Sequence, residues 1–233
     1  MPAWLPDSFF FKGSQSSKLY IRYKLKARIM DPQNKLPPMV FKRYLIVRRA
    51  PFKTQGVEMS KTKVIKNCCS TVGTTTFSCY FEQQAYDPTG VARVAAYIDN
   101  TKMKKEAAAL KIKLKRNIEA QADGHSFRDT LKLTSKTEKG IDAYKAEGRT
   151  LELNLSEIAE QSKFTLQARR QHKGEYSEED QALAQLMQPT VSTRLIRCEY
   201  ILEVVLDFTG CCAADPTLKL PLIIFAPQIQ RQL

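Results

Sequence analysis

The stretch Thr193 to Phe208, TRLIRCEYILEVVLDF, constrains the fold more than any other part of the chain. Ile196, Cys198, Tyr200, Leu202, Val204, Leu206 and Phe208 fall on every second position, and Arg197, Glu199, Ile201, Glu203, Val205 and Asp207 lie between them. Side chains alternate across a strand, so the first set covers one apolar face and the second, mostly charged, looks outward. A helix would scatter both sets around its circumference, and the β-branched and aromatic content favours a strand. From Ile196 onward the strand would run on the order of 40 Å, long for a globular protein. It needs a large sheet packed against one face, which makes the remainder of a β-sandwich the expected setting.

The rest of the chain supplies strands. In KLYIRYKLKARIM, Leu19, Ile21, Tyr23, Leu25, Ala27 and Ile29 form one face, and Tyr20, Arg22, Lys24, Lys26 and Arg28 form the other. Asp31-Pro32-Gln33-Asn34 reads as a turn. Val40 to Arg49 follows as a second strand, so the two are expected to pair as a hairpin. Ahead of them, residues 1 to 16 read as an irregular edge segment anchored by Phe9, Phe10 and Phe11. Ala50 to Ser60, with Pro51 and Gly56, reads as a linker.

A second series of strands is expected at Lys61 to Cys68, Thr74 to Gln83 and Val91 to Asp99, with Asn100 to Lys105 a charged connection. Glu106 to Leu110 has high helix propensity. The alternation of Ala108, Leu110, Ile112 and Leu114 with Lys111, Lys113 and Lys115 outweighs it and predicts a strand. Ala120 to His125 reads as a polar loop. Ser126 to Lys136, Asp142 to Glu147 and the Leu151, Leu153, Leu155 set read as shorter strands. Residues 156–188, rich in Gln and charge, read as a polar surface insertion with some helix. Leu218 to Phe225 is the last strand, and a tail follows. Many strands separated by turns predict an all-β, antiparallel, immunoglobulin-like sandwich.

Composition narrows the function. Across 233 residues, 37 Lys and Arg against 24 Asp and Glu leave a formal charge of +13. Such a balance implies acidic partners: anionic lipid, a phosphorylated tail or nucleic acid. The six cysteines include the adjacent pairs Cys68-Cys69 and Cys211-Cys212, with no CxxC, so neither a disulfide framework nor a zinc site is expected. No run of 18 apolar residues is present, and MPAWLPDSFFFKG lacks the charged and apolar regions of a signal peptide.

The sequence shows no catalytic motif. His125 and His172 sit in polar stretches with no nucleophile pattern nearby, and P-loop, GxGxxG, HExxH and EF-hand patterns are absent. No cofactor or metal is expected. The positive chemistry lies in two rows, Arg22, Lys24, Lys26 and Arg28 on one strand and Lys111, Lys113 and Lys115 on another. Members of each row are spaced about 6.5–7 Å apart along the strand. Such rows can meet phosphates through charge-assisted contacts, or serve only to keep strands soluble and unpaired. Nucleic acid is the weaker partner, because the aromatics alternate into the core face and no RNA-binding motif appears.

Three stretches in order resemble the arrestin-fold superfamily, in particular its α-arrestin-like members. LPDSF (Leu5–Phe9) with YIRYKLKARI (Tyr20–Ile29) is similar to the second half of an arrestin N-domain. FSCYFEQQAYDPTGVARVAAYIDN (Phe77–Asn100) is similar to the start of the C-domain. PTVSTRLIRCEYILEVVLDF (Pro189–Phe208), followed by LKLPLIIF, is similar to its terminal strands. The resemblance implies partial N-domain strands at 1–52, a linker at 53–60, a C-terminal-like sandwich at 61–227 interrupted by the 156–188 insertion, and a tail at 228–233.

It also implies a non-catalytic adaptor that recruits membrane-protein cargo tails and trafficking machinery in endocytosis or endosomal sorting. Such an adaptor works in the cytoplasm or at endosomal or plasma membranes, where phosphoinositide surfaces are a further contact. A relative of the arrestin-fold retromer subunit and a general basic β-module are the alternatives. The chain departs from the family in starting midway through an N-domain, and Pro37-Pro38-Met39 fails the PPxY pattern. An incomplete N-domain implies exposed apolar faces on the hairpin, and residues 57–233 alone are expected to be more soluble than the whole chain.

Overall fold

A computed structural model of the chain describes residues 5–12, 18–30, 32–33, 37–49, 58–67, 70–83, 85–161, 187–208 and 215–225. Among these the elements run β1 (Phe9–Lys12), β2 (Lys18–Ile21), β3 (Tyr23–Ile29), β4 (Met39–Leu45), β5 (Glu58–Asn67), β6 (Ser70–Phe81), β7 (Ala85–Tyr86), β8 (Val91–Met103), β9 (Ala107–Ala122), β10 (His125–Ile141), β11 (Ala146–Asn154), α1 (Leu155–Gln161), β12 (Val191–Ser192), β13 (Ile196–Asp207) and β14 (Thr217–Ile224).

The expected all-β sandwich is what forms. One sheet has the order β10-β9-β13-β14-β7, with β12 also paired to β13, and the other has the order β11-β8-β6-β5. Neighbours within each sheet are antiparallel except β14 and β7, which pair in parallel. The alternation in β13 points Cys198, Tyr200, Leu202, Val204 and Leu206 inward, each at most 1% exposed. Leu110, Ile112, Leu114 and Ile118 of β9 lie in the same layer. Phe77, Cys79 and Phe81 of β6 and Ala92, Val94, Ala96 and Ile98 of β8 meet them from the other sheet. Each large aliphatic or aromatic side chain buried there is worth about 1.5–3 kcal/mol over leaving it exposed.

Several boundaries differ from the sequence reading. The long strand starts at Ile196 as its alternation implied but ends at Asp207, and ahead of it Thr193 Oγ1 accepts the Ile196 amide at 2.8 Å and closes a turn through Arg194 and Leu195. The expected polar loop at Ala120–His125 is a two-residue reversal: β9 runs to Ala122, β10 starts at His125, and Asp123 and Gly124 between them have φ of 50° and 78°. The expected connection at Asn100–Lys105 is mostly strand, since β8 continues to Met103.

The expected strand at Asp142–Glu147 is mainly a turn. Tyr144 has φ 60°, and its amide donates to the Asn100 and Met103 carbonyls. Leu155 opens a helix instead of closing a strand. Asn154 Oδ1 receives the Ser156 hydroxyl, Asn154 Nδ2 donates to Glu157, and Ile158 and Ala159 bury against the core. Most of the expected insertion (162–186), Cys68-Cys69, Cys211-Cys212, His172, residues 50–57 and residues 226–233 lie outside the described residues.

The amino-terminal segment contributes to the core. Phe9, Phe10 and Phe11 are each at most 2% exposed, and Phe9 and Phe11 belong to the buried cluster of the sandwich. Ser8 N donates to the Val47 carbonyl and Ser8 Oγ accepts the Val47 amide, both at 2.9 Å. Phe10 N donates to Gln188 Oε1 at 3.1 Å, and the Gln188 carbonyl accepts the Tyr200 hydroxyl at 2.7 Å. The strand expected from Leu19 to Ile29 is interrupted at Arg22. Its first part pairs with β1, and its second forms the β3–β4 hairpin.

Candidate interaction surfaces

The two basic rows end up in different electrostatic settings. On β9, Lys111, Lys113 and Lys115 lie beside Val205, Glu203 and Ile201 of β13. Both strands direct these residues outward, so lysines face carboxylates across the ladder. Lys111 Nζ lies 2.5 Å from Asp207 Oδ2, and Lys115 Nζ lies 2.5 Å from Glu203 Oε2. The hydrogen bond to Asp207 holds the Lys111 ammonium above its ordinary pKa. The hydrogen bond from Lys115, helped by the charges of Lys113 and Lys219, holds the Glu203 carboxyl below its own. Two of the three lysines thus have their charge engaged within the sheet, and Lys113 stands opposite Glu203.

The other row is carried by the hairpin. Lys24 pairs with Tyr44, Lys26 with Lys42 and Arg28 with Val40 across β3 and β4. Cross-strand partners share a face, so Lys24, Lys26, Arg28 and Lys42 form one basic surface. Arg22 lies over the rings of Tyr20 and Tyr44, at 4.6 and 5.6 Å from their centroids. Lys24 Nζ lies 6.0 Å from the Tyr44 ring. Lys26, Arg28 and Lys42 are exposed and have no carboxylate partner among the described residues. On the opposite face, Leu25, Ala27 and Ile29 of β3 lie beside Arg43, Phe41 and Met39 of β4.

Two further sites were not singled out by the sequence reading. A shallow cleft of about 200 Å³ lies where the β9–β10 reversal meets the turn before β13, lined by Gln121, Phe127, Arg128, Arg194, Leu195 and Arg197 among others. Arg128 pairs with Glu119 at 3.2 Å and Arg197 with Glu199 at 2.5 Å at its rim. The second is an ion pair between a buried arginine and a half-buried aspartate. Arg116 projects from β9 into the core layer, 3.3 Å from Asp129 and 4.9 Å from the centroid of the Phe11 ring. The sequence signal for it was one cation in an otherwise apolar alternating set: Leu110, Ile112, Leu114, Arg116, Ile118.

Near the amino terminus, Asp7 is buried and accepts the Arg49 amide at 2.6 Å and its Nε at 3.0 Å. Arg49 also donates to the Thr190 carbonyl at 3.2 Å. Asp7 therefore anchors residues 5–12 to the chain that follows β4 and, through Arg49, to the segment before β12. Among the described residues no group of three or more His, Cys, Asp or Glu side chains is placed to hold a metal, and no helix is long and apolar enough to cross a membrane. His125 opens β10 and is exposed.

None of the curated proteins matches the chain. A family model described as Arrestin (or S-antigen), C-terminal domain, matches residues 71–229, from the first residues of β6 past the end of β14.

Proposed function

This chain belongs to the arrestin C-terminal-domain family, and on that premise we propose that it is a non-catalytic adaptor in the trafficking of membrane-protein cargo. Arrestin-type domains act as adaptors through their surfaces. The observation that carries the reading is the family match over the two-sheet sandwich, since arrestin domains recruit proteins by contact. Its ligands are the acidic or phosphorylated cytoplasmic tails of membrane proteins together with sorting machinery. It works from the cytoplasm, peripherally at endosomal or plasma membranes, where anionic headgroups add a second contact. The +13 charge and the exposed Lys26, Arg28 and Lys42 support an acidic ligand. Nothing in the arrangement favours a retromer-like or nucleic-acid-binding role over this one.

Immobilised cytoplasmic-tail peptides of membrane proteins, each in phosphorylated and unmodified form, test the proposal. The full chain should be retained by the phosphorylated forms at low salt. Exposed ion pairs are screened by salt, so retention should fall as ionic strength rises. Failure to retain any tail at low salt, with the protein shown to be folded by circular dichroism, would overturn the cargo-adaptor reading.

A further inference from the structure

The outward face of the β11-β8-β6-β5 sheet differs from the rest of the surface in its charge. The ladder sets Tyr80 beside Glu58 and Ala95, and Tyr97 beside Ser78 and Gly148. Tyr80 is 45% exposed and Tyr97 49%. From Val91 to Lys102 of β8, the formal charges on this face are the carboxylates Glu58, Asp99 and Glu152 against Arg93 and Lys102. Three against two leaves −1, in a chain of +13. Most of these charges are already engaged. Arg93 lies 3.0 Å from Glu152, and Asp99 accepts the Thr101 amide at 2.9 Å. The outer face of the other sheet is built differently: Lys113 and Lys219 flank Glu203, and Lys115 stands beside Lys132. Depletion of charge together with exposed aromatic rings is the compositional mark of an interface centre.

The face lies away from the amino-terminal segment. Residues 5–49 reach the sandwich at Arg116 and Phe127 of the other sheet and at Gln188 and Thr190 ahead of β13. The β3–β4 hairpin pairs with neither sheet. By contrast β8, β11 and all but the first residue of β6 fall inside residues 71–229, so the face belongs to the matched domain itself.

Size and charge decide between occupants. The shortest of the four strands, β11, has nine residues and covers about 30 Å. Four strands spaced about 4.8 Å apart cover roughly 19 Å across. Two such faces in contact bury on the order of 1,100 Å², and a biological interface needs about 1,000 Å². An anionic bilayer or a nucleic acid would need a cluster of cations, which this face lacks. A second copy needs none. It meets a surface of nearly zero charge with the same surface, and the lysine-rich faces of the two copies then point away from each other. Ser78, Ala95 and Gly148 are small, so each ring of one copy has low ground to settle on in the other, as an isologous contact requires.

We infer that the chain forms a two-fold dimer through the outward face of the β11-β8-β6-β5 sheet, with Tyr80 and Tyr97 of each copy packed against the small residues of its partner. The inference requires no cargo and stands apart from the adaptor reading.

Sedimentation velocity of the full chain over a range of concentrations is the test. The chain should associate to a dimer with a dissociation constant in the micromolar range. Raising the salt should leave the dimer as tight or tighter, because the contact contains few charges and the remainder of the two chains repel. Tyr80→Asp and Tyr97→Asp should each weaken association on the order of tenfold or more. Tyr97 Cδ2 lies 4.0 Å from where a Cβ on Gly148 would stand, so losing that ring also touches the sheet. Ser60→Lys leaves both rings in place, adds charge to the same face and should weaken association by a similar factor. Thr130→Lys adds the same charge to the exposed outer surface of the other sheet and should leave the dissociation constant within about twofold of the parent.

A chain that stays monomeric at every concentration would overturn the inference and pass the face to a different protein. So would a dimer that persists in Tyr80→Asp, Tyr97→Asp and Ser60→Lys, which would put the contact elsewhere. A dimer that dissociates as salt is raised would mean that ion pairs hold it, which this face cannot supply. None of these results depends on tail peptides, so each leaves the cargo-adaptor test standing.

Discussion

Individual residues set limits that substitutions can probe. Gly140 is where β10 passes so close to β9 that a Cβ would overlap the Ala107 carbonyl. Backbone on that side has little room to retreat, so Gly140→Ala should cost about 1–3 kcal/mol, read as a lowered urea midpoint with an unchanged slope. The two buried thiols make a second case. Burial pushes Cys79 and Cys198 up to about 12. Only the thiolate reacts readily, so both should resist iodoacetamide at neutral pH until denaturant is added, as peptide mapping would show. Labelling of Cys198 in the native protein would contradict its position facing the opposite sheet. Its inward setting follows from the alternation around it. The cation in the parallel set of β9, Arg116, was visible in the same way, but its partners were not. Asp129 comes from the neighbouring strand and Phe11 from more than a hundred residues away, and no local pattern links them.

At the scale of elements, short-range chemistry explains which strands and turns the sequence revealed. β13 and β9 were legible because a half-buried strand repeats every two residues, and that repeat outweighed the helix propensity of Glu106 to Leu110. The β9–β10 reversal was also written in the chain, as Asp123-Gly124, the dipeptide that tolerates two positive φ values in a hairpin turn. Read only as polar residues, it looked like a loop. Gly124→Ala meets no atom within 4 Å, so its cost is conformational, about 1 kcal/mol, and a larger loss would mean that the turn is held by more than its backbone. Helix α1 had a comparable signal in Asn154 and Glu157, spaced as a capping box. Replacing Asn154 with Ala should cost about 1 kcal/mol and loosen Ile158 and Ala159 from the core, detectable as faster amide exchange in α1 alone. The exposed face of β3–β4 was legible as an amphipathic pattern. That the β9 lysines meet Glu203 and Asp207 was not, since it depends on the register of strands about ninety residues apart in sequence.

The whole molecule is tied together by charge ladders and by its first residues. Glu203 has its pKa below the ordinary 4.5 because Lys115 bonds the ionised form. The stabilisation is therefore present above 4.5 and is lost as the pH falls through the lowered value. The unfolding free energy of the parent chain, from urea curves, should drop more between neutral and strongly acidic pH than that of Glu203→Gln, by no more than about 1 kcal/mol because Lys115 is partly exposed. Parallel curves would remove Glu203 from acid unfolding. The structure also reverses the expectation that residues 57–233 would be more soluble alone. That fragment lacks Phe9 and Phe11, which fill the sandwich core, and leaves Gln188 Oε1 without the Phe10 amide. It should aggregate more readily than the full chain, and a soluble, monomeric fragment would show that the core closes without them.

The bond from Phe10 to Gln188 joins residues 178 apart. A ribosome adds roughly 5–20 residues each second, so Phe10 leaves the exit tunnel on the order of ten to thirty seconds before Gln188 is made. Over that interval β1 has β2 to pair with but only part of its final packing, and an apolar segment waiting in that state is open to aggregation.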